Sequence, residues 1–250
     1  MTMINKDVKD FFDKEMRDYI EPISTISLPE AKPNKEQEPP LVDISASIYN
    51  FDKICKKIYK NPPKSADGIF FCKKTMYVVE FKTGFKKKPK NKSEDSNSFC
   101  TKYNEVCEER REWQNKDFER KQKELKTSIR LKAIESYITL EKQFLPLCDD
   151  TESKCRLEYI VVTDADCVNV FDKELGQLGK KHIAASTAKN VLTQLEDSLK
   201  SYNHKQDKNN PSNDYFYDKI KVFSAIEFEM FFKGLLPDMI KPSNIEPQTV

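Results

Sequence analysis

Apolar positions recur along this chain with two periods, and the switches between them mark its elements. Val8, Phe11, Phe12, Tyr19 and Ile20 gather near one face of residues 5–20. That spacing predicts a helix, packed on a core or docked on a partner. The stretch 28–40 carries four prolines among alternating charges and reads as a linker or crossing strap. Ile44, Ile48, Phe51, Ile54, Cys55 and Ile58 predict a helix over 43–60, stopped by Pro62-Pro63. Two short β-rich runs follow, Ile69 to Cys72 and Met76 to Phe81, around a polar turn. They read as a hairpin.

Residues 100–145 predict one long helix or two abutting ones. Glu, Arg, Lys and Gln dominate the first half, with Trp113 and Phe118 as its main apolar points. Such a helix projects into solvent or pairs with another. The second half carries a stripe of Leu125, Ile129, Ala133, Ser136 and Leu140, suited to covering a sheet. Arg130 and Lys132 could lean over the rim of the site, with the surface as the expected location for both. Leu157 to Thr163 predicts a buried strand, and Asp164-Ala165-Asp166 a turn leaving it. A helix over 186–203 with Ser186 as its cap, a polar stretch to Asn213 and a strand Ile220 to Phe223 come next. Ile226, Phe228, Phe231, Phe232 and Leu235 then predict a closing helix over 225–236. No strand is predicted before the one that Asp67 opens, because 59–66 is rich in proline.

This order predicts an α/β fold, a mixed central sheet with helices on both sides. The expected division is an amphipathic helix in 1–28, a Pro-rich linker in 29–40, one domain over 41–236 with the long helix 100–145, and an extended tail over 237–250. A hydrophobic fraction of 38% against 34% charged residues fits one modest core with solvated helices and loops.

Charge and cysteine usage narrow the function classes. Net charge is +2, so any grip on phosphates comes from local clusters rather than a global field. Seven scattered cysteines form no disulfide framework and fit a reducing cytoplasm. Cys100/Cys107 and Cys148/Cys155 share a spacing, but no Cys-x-x-Cys occurs, which argues against a cluster or zinc site. His182 and His204 lie far apart. No apolar stretch is long enough to span a membrane.

Chemistry concentrates in the hairpin. Glu80 and Lys82 share one strand face. A two-residue turn, Lys73-Lys74, puts Asp67 opposite Glu80. A four-residue turn puts it opposite Lys82, and a three-residue turn sends it to the other face. The turn holds no glycine, which favours the longer loop. Two carboxylates on facing strands repel unless a cation joins them. A hard divalent ion, Mg²⁺ or Mn²⁺, suits that oxygen pair, with the Phe81 carbonyl as a further donor. Lys82 would then orient a water or meet charge developing on phosphorus. Lys86, Lys87, Lys88, Lys90 and Lys92 leave the same strand and form a candidate arm for backbone phosphates.

Ala66-Asp67, thirteen residues, then Glu80-Phe81-Lys82 resembles the PD-(D/E)XK nuclease motif, with Ala66 in place of the proline. The resemblance is anchored in about twenty residues and extends by order of elements over roughly 41–236. It implies a restriction-endonuclease-like αβββαβ core and Mg²⁺-dependent phosphodiester hydrolysis, of DNA rather than RNA. Asp67 and Glu80 would be ligands and Lys82 the catalytic lysine. Many members add an acid from the preceding helix, for which Asp52 and Asp43 are the candidates. Restriction, repair and antiphage effectors are common roles in the family. Assembly through the N-terminal or the long helix, with a partner or a second copy, is part of that expectation. The competing expectation is a non-catalytic interaction subunit that keeps the fold.

Overall fold

A computed structural model describes residues 6–29, 36–85, 104–144, 156–165, 191–203 and 216–239. The chain begins with α1 (Lys6–Glu15), a 3₁₀ turn (Arg17–Tyr19), β1 (Ile20–Pro22) and α2 (Ile23–Ile26). It continues through β2 (Ser47–Asn50), α3 (Phe51–Ile58), β3 (Gly68–Cys72) and β4 (Thr75–Lys82). Then come α4 (Asn104–Gln143), β5 (Arg156–Thr163), α5 (191–200), β6 (Lys219–Ser224) and α6 (Ala225–Leu235). The six strands form one mixed sheet in sequence order. β1 to β4 are antiparallel neighbours, and β4, β5 and β6 run parallel.

Two cores sandwich the sheet, so β5 is apolar on both faces, as a central parallel strand must be. One core joins Met76, Val78, Tyr159 and Val161 to α1, α3, α4 and α5. The other joins Phe70, Tyr77, Val79, Ile160 and Val162 to α6 and to Ile23, Val42 and Ile44. The apolar face of α1 is consumed inside this chain. Phe12 is fully buried, with ring centroids 5.2 Å from Tyr49, 5.4 Å from Phe71 and 4.9 Å from Phe144.

Four expectations about elements need correction. Residues 43–60 are not one helix: Ser47–Asn50 is a strand between β1 and β3, and the helix is Phe51–Ile58. Asn50 makes the switch, its Oδ1 accepting the Lys53 N–H at 3.0 Å as an N-cap. Two strands therefore precede Asp67 where none was expected. The hairpin turn is the two-residue Lys73-Lys74, with Cys72 paired to Thr75. Lys73 enters the left-handed region at φ 53° in place of a glycine, at a cost of about 1 kcal/mol. Phe70, Phe71, Met76 and Tyr77 are buried close to the turn, and a longer loop would unpair the strands that bury them. Finally, Leu236–Asp238 is a 3₁₀ turn and Met239 bridges Cys72, so the chain past Pro237 is not simply extended there.

The buried stripe on α4 matches its sequence pattern, with Ile129, Ser136 and Leu140 fully buried and Ala133 nearly so. Trp113 on the same helix is exposed. In α6, Phe228 and Phe232 face the sheet while Ile226 is half exposed. No helix among the described residues is long and apolar enough to cross a membrane.

Candidate active site

Asp67 stands one residue before β3, and the main chain fixes it on both sides. Its N–H donates to the Val79 carbonyl and its carbonyl accepts the Phe51 N–H, each at 3.0 Å. The hairpin register continues through it, so Asp67 lies opposite Glu80. Its Oδ2 accepts the Phe81 N–H at 2.6 Å. Gly68 follows because Ile48 crosses there: Ile48 Cδ1 sits 2.5 Å from where a Cβ on Gly68 would stand.

Glu80 faces α4 from the middle of the sheet and is fully buried. Lys132, from α4, closes the arrangement. Its Nζ lies 2.9 Å from Glu80 Oε2 and 3.1 Å from Asp67 Oδ1. One helical turn further, Ser136 Oγ accepts the Ala66 N–H at 2.8 Å. Glu135 receives the Lys64 N–H. The same face of α4 thus holds both the chain entering β3 and the carboxylates. Among the described residues, Glu80 Oε1 has no hydrogen-bond partner, and neither has the buried Tyr159 hydroxyl on the neighbouring strand.

Lys82 lies on the Glu80 face, two residues nearer the end of β4. With Asp67, Lys132 and Phe81 it lines an open cleft of about 270 Å³. Among the described residues its ammonium makes no ion pair, yet its charge acts on both carboxylates. The Phe81 ring is on the far face, 5.7 Å from Phe228.

Burial pushes the Glu80 carboxyl well up from its ordinary value, and the Asp67 charge beside it adds to this; Lys132 opposes both. Burial also raises Asp67, against the pull of Lys132, the Phe81 N–H and Lys82. Burial alone would lower Lys132, but Glu80 and Asp67 together win and its ammonium is held more firmly than usual. A carboxylate pair facing one ammonium therefore retains a proton more readily than either group would in water.

Among the described residues no three His, Cys, Asp or Glu side chains converge as a metal-holding group. The side-chain donor set is the two carboxylates of Asp67 and Glu80. It fits an ion such as Mg²⁺, which takes one or two carboxylates and keeps several waters. The partnerless Glu80 Oε1 is the observation that favours that fit. The Lys132 ammonium is the cation that already neutralises the pair.

The structure thus brings Asp67, Glu80 and Lys82 together, and adds Lys132, expected at the surface or over the rim, as a direct partner of both carboxylates. Arg130 is not simply on the surface either: it bonds Ser198 and lies 4.1 Å from the Tyr202 ring centroid. The signal for Lys132 was its place three residues after Ile129 and four before Ser136, inside the buried stripe. Asp52 does not join the site through its carboxylate, which bonds Ser65 at 3.1 Å and Lys56 at 2.5 Å. Asp43 is exposed. Asp164 is a fastener, accepting the Gly84 and Phe85 N–H groups at 2.8 Å each. Lys86, Lys87, Lys88, Lys90 and Lys92 lie outside the described residues, as do Cys100, Cys148, Cys155, His182, His204 and Ser186.

Compared with protein-family models, with curated proteins and with solved structures, the chain matches none.

Proposed function

We propose that the chain is a metal-dependent nuclease of the PD-(D/E)XK type, acting on DNA in preference to RNA. The observation that carries this reading is the meeting of two carboxylates and two lysines at one end of β4. Asp67 faces Glu80 across the hairpin, Lys132 touches both, and Lys82 lines the cleft beside them. Support also comes from the order of elements. β2, β3 and β4 are antiparallel neighbours, and the helix α4 and the parallel strand β5 follow them. The order that the resemblance implies is met except that α3 interrupts it between β2 and β3. The parallel strands β4 and β5 end side by side at the site, where ligands of α/β sheets commonly bind.

A bound divalent cation would neutralise a phosphodiester and lower the pKa of a water. Asp67 and Glu80 would hold it, with the Phe81 carbonyl as an additional donor. The chain's own groups do the rest. The Phe81 N–H keeps the Asp67 carboxylate aimed at Glu80. Lys82, open to the cleft, orients a water or meets the charge that builds on the phosphate oxygens. Lys132, beside both carboxylates, would supply a second ammonium to the phosphate.

The test is incubation of the purified protein with plasmid, linear duplex, single-stranded DNA and RNA, with Mg²⁺, Mn²⁺ or EDTA. Cleavage that needs the metal and is lost in Asp67→Ala and Lys82→Ala, both still folded, is the expected result. Full activity in both variants removes the assignment.

A second reading rests on one observation: Lys132 already satisfies the charge of the pair. If that ammonium never leaves, the triad is an internal ion cluster and the chain is an interaction subunit with a nuclease-like fold. Metal binding separates the two readings.

A further inference from the structure

The cleft at the site has two unlike kinds of lining. Asp67, Lys82 and Lys132 are its charged residues. Leu28, Pro29, Leu41 and Leu125 give it an apolar wall. Leu28 stands 41% exposed, a large aliphatic group in the same cleft as Lys82 and Lys132.

The wall is built in advance. The buried Ser27 hydroxyl donates to the Val42 carbonyl at 3.1 Å and accepts the Val42 N–H at 3.2 Å. The Leu41 N–H donates to the Ser27 carbonyl at 3.1 Å. These bonds clamp the Leu28 segment to the Leu41 segment. Next to the lining residue Thr83, the Gly84 carbonyl accepts from Gln122 at 2.7 Å and Asp164 accepts the Gly84 and Phe85 N–H groups at 2.8 Å each. Gly84 has φ 106°, and Leu125 Cδ1 lies 3.1 Å from where its Cβ would stand, so the loop and helix close up there. An unbroken double helix has no apolar face to offer such a wall, because its bases are stacked inward. A volume of about 270 Å³ also falls below the ~300–1,000 Å³ of sites for drug-sized ligands.

We propose that this cleft takes one unpaired nucleotide of a polynucleotide, its phosphate at Lys82 and Lys132 and its base against Leu28, Pro29, Leu41 and Leu125. This rests on the nuclease reading and deepens it: the substrate class is a single strand or a frayed end. Duplex must first give up a stacked base, which a single strand has already done. An aliphatic wall covers any base face, so the site reads strand state rather than sequence.

The test uses the full chain with Mn²⁺ or EDTA and two labelled probes, a short oligothymidylate and a relaxed, covalently closed duplex circle without ends or loops. Binding is read by fluorescence anisotropy and cleavage on gels, for wild type, Leu28→Ala and Leu28→Asp. Leu28 is exposed enough for both variants to fold, which unchanged melting curves would show. The single strand is expected to bind tighter than the closed duplex, and Leu28→Asp to weaken it about tenfold or more, a loss near 1.4 kcal/mol. KM should rise with kcat little changed, since Leu28 touches no reacting atom. Equal binding of both probes, or Leu28→Asp equal to wild type, overturns the inference. Asp67-dependent cleavage of the closed duplex at the single-strand rate overturns it while leaving the nuclease reading intact. Leu28-dependent binding of the oligothymidylate without cleavage under any metal keeps the cleft and removes the catalysis.

Discussion

Lys132 Nζ lies 2.9 Å from Glu80 Oε2, joining the middle of α4 to the floor of the site. Glu80 is fully buried, and Lys132 is about one-fifth exposed. Removing one partner of such a pair leaves a buried charge, which typically costs roughly 3–5 kcal/mol. Lys132→Met should therefore destabilise the metal-free protein by an amount in that range at pH 8. Chemical denaturation at pH 8 and pH 5 checks it. The loss should shrink at pH 5, where the carboxylates take up protons and no longer need the ammonium.

The same burial sets the pH dependence of stability in EDTA. Glu80 and Asp67 have values raised above the ordinary carboxylate range. The folded state then binds more protons than the unfolded state once pH exceeds about 4. Their contribution is complete below that point and is lost as pH rises through the folded values. The melting temperature should fall from pH 5 towards pH 8, and Glu80→Gln should flatten the slope. Lys132, also raised, keeps its contribution until pH passes its ordinary value near 10.4. A slope unchanged in Glu80→Gln contradicts this.

Ser136 is the hidden anchor of Asp67. Its hydroxyl accepts the Ala66 N–H at 2.8 Å, and Ala66 is fully buried. Ser136→Ala leaves that N–H without a partner, at a cost of about 1–3 kcal/mol. Because the bond places the residue next to Asp67, Mn²⁺ affinity should fall as well as stability. A loss of stability with affinity untouched would make Ser136 a packing residue only.

A distant cap serves as the control. Ser224 and Glu227 form a capping box at the start of α6, on the other face of the sheet from α4. Ser224→Ala should cost about 1 kcal/mol of stability. It should leave Mn²⁺ binding unchanged, as titration of the folded variant would show.

Much of this arrangement was legible in the residues, for identifiable reasons. The hairpin announced itself by two β-rich runs, and once its turn is two residues long the facing of Asp67 and Glu80 is forced. β5 is so apolar that no other element suits it. β2 was hidden because Ile44 and Ile48 happen to continue the spacing of Phe51, Ile54 and Cys55. Only the Asn50 cap separates strand from helix there. The turn itself defeated the glycine rule, since tertiary burial outweighs the strain at Lys73. Lys132 is expected at the surface or the rim rather than between the carboxylates because a lysine within an amphipathic helix is ordinarily solvated. Nothing in the local sequence shows that two carboxylates wait across the gap.

The central claim is that Asp67 and Glu80 together hold a divalent ion. The most direct measurement is calorimetric titration of Mn²⁺ into the metal-free protein in two buffers of different ionisation heat. One binding event is expected, with proton release because the carboxyls hold protons more firmly than usual. It should vanish in the Asp67→Asn/Glu80→Gln double variant. Wild type giving no more heat than that variant would contradict the account and leave Lys132 as the pair's permanent counter-ion.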